Sequence, residues 1–164
     1  MPVFYLDTSA LLKRYKTEIG SDVIDEPFRA KAASEAFTSS YYAVLEITSV
    51  ARRLLKGRAL TRGAYNAMMA RFLGDAESGL VLQSVNGDVV ASANDVAERY
   101  ALRAGDAIQL AAALAVKEAL PGERFVLLAS DKDLLQASQA AGIEAIDPES
   151  RDSLSALQKV RSGY

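Results

Sequence analysis

Histidine and cysteine are absent from the 164 residues of this chain, and each absence narrows its chemistry. Without histidine, Ser-His-Asp and Cys-His catalysis, the HExxH zinc motif and every histidine-ligated metal site are excluded. Without cysteine, disulfides and thiolate chemistry are impossible. Acid–base work would therefore fall to carboxylates, lysine, tyrosine or metal-bound water. A metal site would consist mainly of oxygen ligands, which favour Mg²⁺, Mn²⁺ or Ca²⁺.

Long apolar runs are also missing. No run approaches the roughly 18 residues that a membrane span needs, and Asp7 interrupts the start of the chain before a secretory signal could form. The expectation is a cytoplasmic protein without membrane attachment. The chain length predicts one domain with an adequate core.

Basic residues are unevenly distributed, although the net charge is only −2. No acidic residue lies between Glu46 and Asp75, while that stretch holds Arg52, Arg53, Lys56, Arg58, Arg62 and Arg71. A second small cluster consists of Lys13, Arg14 and Lys16. These residues indicate either solvated helix faces or a rim that attracts phosphate, with Arg52 and Arg53 as the first candidates.

Strand and helix patterns alternate along the chain. Apolar runs predict strands at 3–6, 37–38, 80–85, 125–129 and 143–146. Helical periodicity and capping residues predict helices at 10–17, 21–36, 61–78, 89–103, 106–120 and 134–141, and a further helix that Ser39 or Ser40 caps and that ends at Lys56. This alternation predicts a parallel sheet covered on both faces. The polar tail after Pro148 carries a weak stripe of Leu154, Leu157 and Val160, and is either disordered or a docking helix.

Acidic residues recur where buried strands end. Asp7 follows the run at 3–6 and Asp131 follows the run at 125–129, so parallel strands would place both on one rim of the sheet. Asp106 begins the helix that runs back to the second of these strands, which brings it to the same rim. Glu46 lies about two turns into a helix that also starts there, roughly 9 Å along its axis.

Each of these acids alone has an ordinary structural explanation, such as a helix-start residue. Four converging carboxylates are harder to explain, because like charges repel and burial removes their hydration. No histidine and no basic run within these motifs is expected to neutralise them, whereas a divalent cation would. The chemistry that suits such a site is metal-assisted phosphodiester hydrolysis, with basic residues along the flanking phosphates.

Four sequence blocks carry a resemblance to a known family. They are LDTSALL, VLEITSVARRLLKGRAL, LRAGDAIQLAAAL and FVLLASDKDLL, in this order. In order and spacing they resemble the PIN-domain ribonucleases, and most closely the VapC-type toxins of toxin–antitoxin pairs. The resemblance covers about residues 3–148, the expected nuclease domain, and leaves 149–164 as the tail.

The resemblance implies a three-layer α/β/α sandwich around a central parallel sheet of four or five strands. It implies cleavage of RNA with Mg²⁺ or Mn²⁺, a homodimer and a cognate antitoxin protein. The catalytic and metal-binding acids become Asp7, Glu46, Asp106 and Asp131. Ser9 matches a hydroxyl residue that supports Asp7, and Asp133 is either an outer supporting acid or an exposed first-turn residue. Gly105 stands where relatives often carry a bulky residue, which predicts a looser approach to the site.

Two other functions remain open from the sequence. A Mg²⁺-dependent phosphatase of the haloacid-dehalogenase type also places an acid at a strand end, but it needs a second acid where this chain has Ser9 and gives Glu46 no role. A PIN-fold module could instead bind RNA or a partner without cutting. Such a module is expected to have lost acids, and this chain keeps all four.

Overall fold

The computed structural model describes residues 1–29 and 35–163. The strands are β1 (Pro2–Leu6), β2 (Ala36–Ser40), β3 (Val81–Gln83), β4 (Arg124–Leu128) and β5 (Glu144–Ile146). The helices are α1 (Thr8–Leu11), α2 (Ser21–Arg29), α3 (Tyr41–Lys56), α4 (Arg62–Ser78), α5 (Gly87–Tyr100), α6 (Ala104–Ala119), α7 (Lys132–Ala140) and α8 (Ser153–Ser162). None of the described helices combines the length and apolarity that a bilayer crossing requires.

The five strands form one parallel sheet in the order β3-β2-β1-β4-β5. The chain builds outward from β1 in one direction, through β2 and β3, and then crosses over to build β4 and β5 on the other side. The predicted parallel sheet of four or five strands is confirmed.

Strand β1 shows why the sheet is buried on both faces. Val3 and Tyr5 point into a core shared with α5, α6 and α7, while Phe4 and Leu6 point into a core shared with α1 to α4 and α8. Successive side chains of a strand point to opposite faces, so a strand with a core on each side needs a continuous apolar run. The two cores and the sheet form the three-layer α/β/α sandwich that the sequence predicts.

Several helix boundaries follow from their capping residues. Ser40 accepts a hydrogen bond from the Ala43 N–H at the start of α3, Gly57 follows its end, and Thr61 accepts one from the Ala64 N–H at the start of α4. These three boundaries match the sequence prediction. They could be predicted because each capping hydrogen bond joins residues within about one helical turn.

Other boundaries differ from prediction. The first helix starts at Thr8, not Ala10, because Asp7 itself is the N-cap, and beyond Leu11 it tightens into a short 3₁₀ turn instead of continuing to Thr17. The predicted strand at 37–38 extends over Ala36–Ser40, where it pairs with β1 and β3. The predicted helix over 21–36 is observed as Ser21–Arg29, and its positions 30–34 lie outside the described residues.

Candidate active site

The strand order reverses between β1 and β4, and the candidate site lies at their carboxyl ends. In open parallel sheets this reversal leaves a crevice in which ligands bind. Asp7 follows β1 directly, and its N–H donates to the Leu128 carbonyl at the end of β4 over 3.0 Å. Asp131 follows β4 and caps α7 by accepting from the Leu134 N–H at 3.0 Å. The two predicted strand-end acids therefore share one rim.

Asp7 is the most buried of the four predicted acids, with 4% of its surface exposed. Its Oδ2 accepts hydrogen bonds from the Ser9 N–H at 3.0 Å and the Ser9 hydroxyl at 2.6 Å. The Ser9 hydroxyl also accepts from the Ser130 N–H beyond β4, at 2.9 Å. Burial raises the pKa of Asp7 from 3.8 to about 6; the Ser9 hydrogen bonds oppose this rise and the charge of Glu46 adds to it.

Glu46 reaches the rim from the second turn of α3. Its Oε2 accepts hydrogen bonds from the Thr8 hydroxyl and from the Gln109 side-chain amide, the latter at 3.1 Å. Thr8 follows Asp7, and Gln109 comes from α6. The carboxylate of Glu46 is thus oriented by residues on two other elements.

Asp106 and Asp131 are bridged by a cation that belongs to the chain itself. The Arg103 guanidinium donates to Asp106 Oδ2 over 3.2 Å and to Asp131 Oδ2 over 2.9 Å. Burial raises the pKa of Asp106, the charges of Asp131 and Glu46 raise it further, and Arg103 opposes the rise. The expectation that the acids lack a neutralising basic partner within these motifs is therefore wrong, although the partner is the single residue Arg103 and not a basic run.

The four acids lie on one rim in two neighbouring pairs, Asp7 with Glu46 and Asp106 with Asp131. Glu46 also influences Asp106 electrostatically, so the pairs are not isolated from one another. Within 1–29 and 35–163, however, no three acidic side chains stand close enough to form a preformed metal-binding group. Asp133 is exposed in the first turn of α7, where its charge acts on Arg103.

Gly105 does not leave the approach to the site open. A Cβ atom at this position would lie 3.1 Å from the Tyr42 hydroxyl oxygen and 3.5 Å from Glu46 Oε1. Tyr42 therefore fills the space that a side chain at 105 would take. The predicted looser approach is wrong for that reason.

A basic groove leads away from Glu46 along α3. One cavity of about 410 Å³ is lined by Thr8, Glu46, Ser49 and Arg53 among others, and a neighbouring one of about 520 Å³ by Ser49, Arg52, Arg53, Lys56 and Arg62 among others. Ser49 and Arg53 line both, so the two cavities are neighbours along α3, and we call them together the basic groove. In the described part of the chain, Arg52 and Arg53 make no ion pair.

Two of the three residues in the second predicted basic cluster, Lys13 and Arg14, are structural, whereas Lys16 is exposed and pairs with Glu18. Lys13 pairs with Glu18 and Glu149, and Arg14 pairs with Asp25 and Asp75. Arg14 also lies 4.0 Å from the centre of the Phe28 ring. These side chains join the 3₁₀ turn to α2, α4 and the segment before α8, so they are not available to phosphate.

Three residues of the site were missed by sequence reasoning: Thr8, Arg103 and Gln109. Gln109 had a detectable signal, because it is the one amide in the otherwise apolar stretch AIQLAAALAV. Arg103 lies three residues before Asp106, a spacing that places the two side chains on one helix face. Thr8 had no signal of its own, since a hydroxyl after an acid at a helix start also fits capping.

The fold and one family model together identify the family of this protein. The sheet order and the acidic rim define an α/β protein with its site at the reversal of strand order. The family model for the PIN domain matches residues 4–140. The chain therefore belongs to the PIN domain family, and the predicted family is confirmed.

Solved structures with a similar fold include components of toxin–antitoxin complexes. A chain of VapBC2 from Rickettsia felis, bound to a fragment of promoter DNA, matches with a TM-score of 0.62 and 11% identity over 87% of this chain and 96% of that one. FitAcB from Neisseria gonorrhoeae matches with a TM-score of 0.61 and 14% identity, over 88% of this chain and 97% of that one. PAE2754 from Pyrobaculum aerophilum matches with a TM-score of 0.59 and 16% identity, over 99% of both chains. No curated protein sequence matches this chain.

Proposed function

We propose that this chain is a metal-dependent endoribonuclease that hydrolyses RNA phosphodiester bonds, and that it is the toxin of a toxin–antitoxin pair. The observation that carries the proposal is the set of four carboxylates on one rim, at the strand-order reversal of a PIN domain. Burial of Asp7 and the like charges around Asp106 make this rim costly to maintain without a ligand. Natural proteins accept such a cost mainly at functional sites.

The donor atoms of the rim suit Mg²⁺ or Mn²⁺. Asp7, Glu46, Asp106 and Asp131 supply only carboxylate oxygens, the ligands that these ions prefer. When bound, such an ion supplies an activated water and stabilises the charge of the leaving oxygen. The pair Asp106 and Asp131 already binds the Arg103 guanidinium, which supports the proposal that these two acids can bind a cation.

The residues around the acids have separate proposed tasks. Ser9 holds Asp7, and Thr8 with Gln109 holds Glu46. Arg52 and Arg53 lie on the basic groove that starts at Glu46, where they would contact phosphates on either side of the cleaved bond. Asp133 is proposed as a supporting acid outside the metal ligands, whose charge attracts Arg103 in competition with Asp106 and Asp131.

A non-catalytic RNA- or partner-binding module is the second candidate. One specific observation favours it: Arg103 neutralises two of the four acids, and no three of the described acidic side chains form a ready metal group. The phosphatase alternative has no such support, because Ser9 is hydrogen-bonded to Asp7 in place of a second acid.

The first experiment separates the two candidates. Labelled single-stranded RNA is incubated with the protein and Mg²⁺ or Mn²⁺, with and without EDTA. We expect cleavage that EDTA abolishes, and on the order of a thousand-fold loss in Asp106→Asn, since several kcal/mol of transition-state stabilisation depend on the ion. Asp95→Asn, on the exposed face of α5, is the control and should cleave normally. RNA binding without any cleavage would instead support the non-catalytic module.

Arg103 is expected to compete with the metal ion. Arg103→Gln removes the guanidinium from Asp106 and Asp131, so Mn²⁺ affinity in the absence of RNA should rise about three- to tenfold, as expected for an exposed ion pair. Isothermal titration calorimetry measures this directly. Arg99→Gln replaces an exposed arginine in the last turn of α5 and should leave Mn²⁺ affinity unaltered. Unchanged or weaker Mn²⁺ binding by Arg103→Gln would mean that the arginine does not occupy the ion's place.

The basic groove predicts a salt-dependent loss of RNA affinity. In an Asp106→Asn background, which prevents cleavage, Arg53→Gln should weaken binding of single-stranded RNA and lower the slope of log affinity against log salt by about 0.7. Fluorescence anisotropy at several salt concentrations gives both quantities. Arg151→Gln, in the loop before α8, is the control with one charge removed elsewhere. Equal slopes for the two variants would place the RNA outside the groove.

The partners follow from the same proposal. The Rickettsia felis chain comes from a VapBC2 complex, and a further structure with a TM-score of 0.56 is a toxin–antitoxin complex from Klebsiella pneumoniae. By this likeness we propose a cognate antitoxin protein for the present chain. A homodimer is proposed on the sequence resemblance alone.

A further inference from the structure

Gln109 is a polar side chain in an environment that otherwise excludes polar groups. It is 1% exposed, and its neighbours in α6 include Leu110, Ala111, Ala112 and Ala113, all buried. A buried amide without partners costs free energy, so this position is stable only if the amide is fully hydrogen-bonded.

All four hydrogen-bonding positions of the amide are used. Its Oε1 accepts from the Tyr5 hydroxyl at 2.7 Å and from the Ser40 hydroxyl at 3.0 Å. Its Nε2 donates to the Thr8 hydroxyl oxygen at 2.9 Å and to Glu46 Oε2 at 3.1 Å. An amide has two N–H donors and one oxygen with two lone pairs, so no capacity is left over.

This arrangement permits only one orientation of the amide. Glu46 as a carboxylate can only accept, so a flipped amide would place its oxygen against a negatively charged oxygen. Tyr5 and Ser40 hold Oε1 on the opposite side, and both are buried on strands of the sheet. Ser40 also accepts from the Ala43 N–H, which ties the network to the start of the helix that carries Glu46.

The network restrains one oxygen of Glu46 and leaves the other available. Oε2 accepts from both Thr8 and Gln109, whereas no residue in the described ranges donates to Oε1. Oε1 lies 3.5 Å from the position that a Cβ of Gly105, the residue before Asp106, would occupy. The available oxygen therefore lies near the first turn of α6, the helix that carries Asp106.

We propose that Gln109 is a positioning residue, whose amide, fixed by Tyr5 and Ser40, orients the Glu46 carboxylate for metal binding. The proposal rests on the proposed metal-dependent nuclease. It assigns no contact with RNA or with the ion to Gln109 itself. Partners of this kind typically change metal affinity or activity 10- to 100-fold when removed.

The test compares Gln109→Leu with Tyr5→Phe and with the control Gln139→Leu on the exposed end of α7. Gln109→Leu keeps similar volume but removes both donors to the Thr8–Glu46 pair, so Mn²⁺ affinity measured without RNA should fall about 10- to 100-fold. In cleavage assays at saturating metal kcat should fall while KM for RNA stays unchanged, because Glu46 does not bind the flanking RNA. Tyr5→Phe retains the packing and loses only one restraint on the amide, so a smaller loss of the same kind is expected.

A double variant separates positioning from simple structural damage. Thr8→Val with Gln109→Leu should weaken Mn²⁺ binding by much less than the product of the single effects, because both residues act on the same oxygen. Thermal unfolding establishes the temperature at which every variant is fully folded, and Mn²⁺ binding is measured there.

The outcomes distinguish a failure of the proposed function from a failure of the positioning role of Gln109. If the unaltered protein neither binds Mn²⁺ nor cleaves RNA, the proposed function is wrong and the positioning role is lost with it. If the unaltered protein does both, and folded Gln109→Leu matches Gln139→Leu in Mn²⁺ affinity and kcat, only the positioning role is overturned. A selective loss in Gln109→Leu and Tyr5→Phe supports it.

Discussion

Asp7→Asn is expected to abolish RNA cleavage and yet leave the metal-free protein more stable than the parent at neutral pH. The loss of activity should be on the order of a thousand-fold, because asparagine lacks the negative charge with which a carboxylate binds Mg²⁺ or Mn²⁺. The gain in stability follows from burial: in the folded protein the pKa of Asp7 rises from 3.8 to about 6.

The raised pKa of Asp7 determines the direction in which the stability changes with pH. The folded state binds the proton of Asp7 more tightly than the unfolded state, so the contribution of Asp7 to the free energy of unfolding is fully present below about pH 4 and is lost as the pH rises through about 6. The shift corresponds to about 3 kcal/mol. Asp7→Asn removes this titrating group, so the stability of the variant should not show the fall near pH 6 that Asp7 causes.

Urea denaturation between pH 4 and 8, without metal, measures both curves. Asp95→Asn serves as the control because it makes the same chemical change on the exposed face of α5. Addition of Mn²⁺ should stabilise the unaltered protein more than Asp7→Asn, since an ion that binds only the folded state raises its stability. Equal stabilisation of both proteins by Mn²⁺ would remove Asp7 from the metal site.

Leu157→Ala is expected to lower the free energy of unfolding by about 2–4 kcal/mol, the usual cost of a buried Leu-to-Ala change. Leu157 is fully buried and belongs to the core formed by Phe4, Phe37 and other residues of that sheet face. Leu154, one turn earlier in α8, is 37% exposed, so Leu154→Ala is a matched control with an expected effect below about 0.5 kcal/mol.

This comparison also bears on the role of the tail after Pro148. Helix α8 is held by Leu157 and Val160, and by Arg161, which donates to Glu35 and to Glu26. Urea denaturation of the two leucine variants measures how firmly it is held in solution. Similar small effects of both would indicate that α8 contributes little to folding, and that the domain of residues 1–148 is stable without it.

The local elements could be predicted because their causes are local. The apolar run Val3–Leu6 requires a core on both faces, and the caps Ser40 and Thr61 act within one helical turn. The order of acids along the chain and the rule that parallel strands end on one rim also sufficed to bring Asp7 and Asp131 together. The assignment of the four acids to metal binding stays a prediction.

The errors concern interactions between distant positions. The basic pattern alone cannot distinguish Arg14, which pairs with Asp75, from Arg53, which lines an open groove. The start of α1 at Thr8 instead of the predicted Ala10 follows from Asp7 as its N-cap, and the Asp7 N–H also donates to the Leu128 carbonyl at the end of β4. Both outcomes depend on which elements become neighbours.

The sequence by itself determined the fold class, the family and the shared rim of the strand-end acids. Hydrophobic periodicity and caps depend on residues that are close in sequence, and the order of the motifs can be read directly from the chain. Only the tertiary structure decided how those acids are held. Gln109 contacts Tyr5, Ser40 and Glu46 from more than sixty positions away, and Arg103 reaches Asp131. Hydrogen bonds and ion pairs form over about 3 Å, so such partners are set by packing and not by distance along the chain.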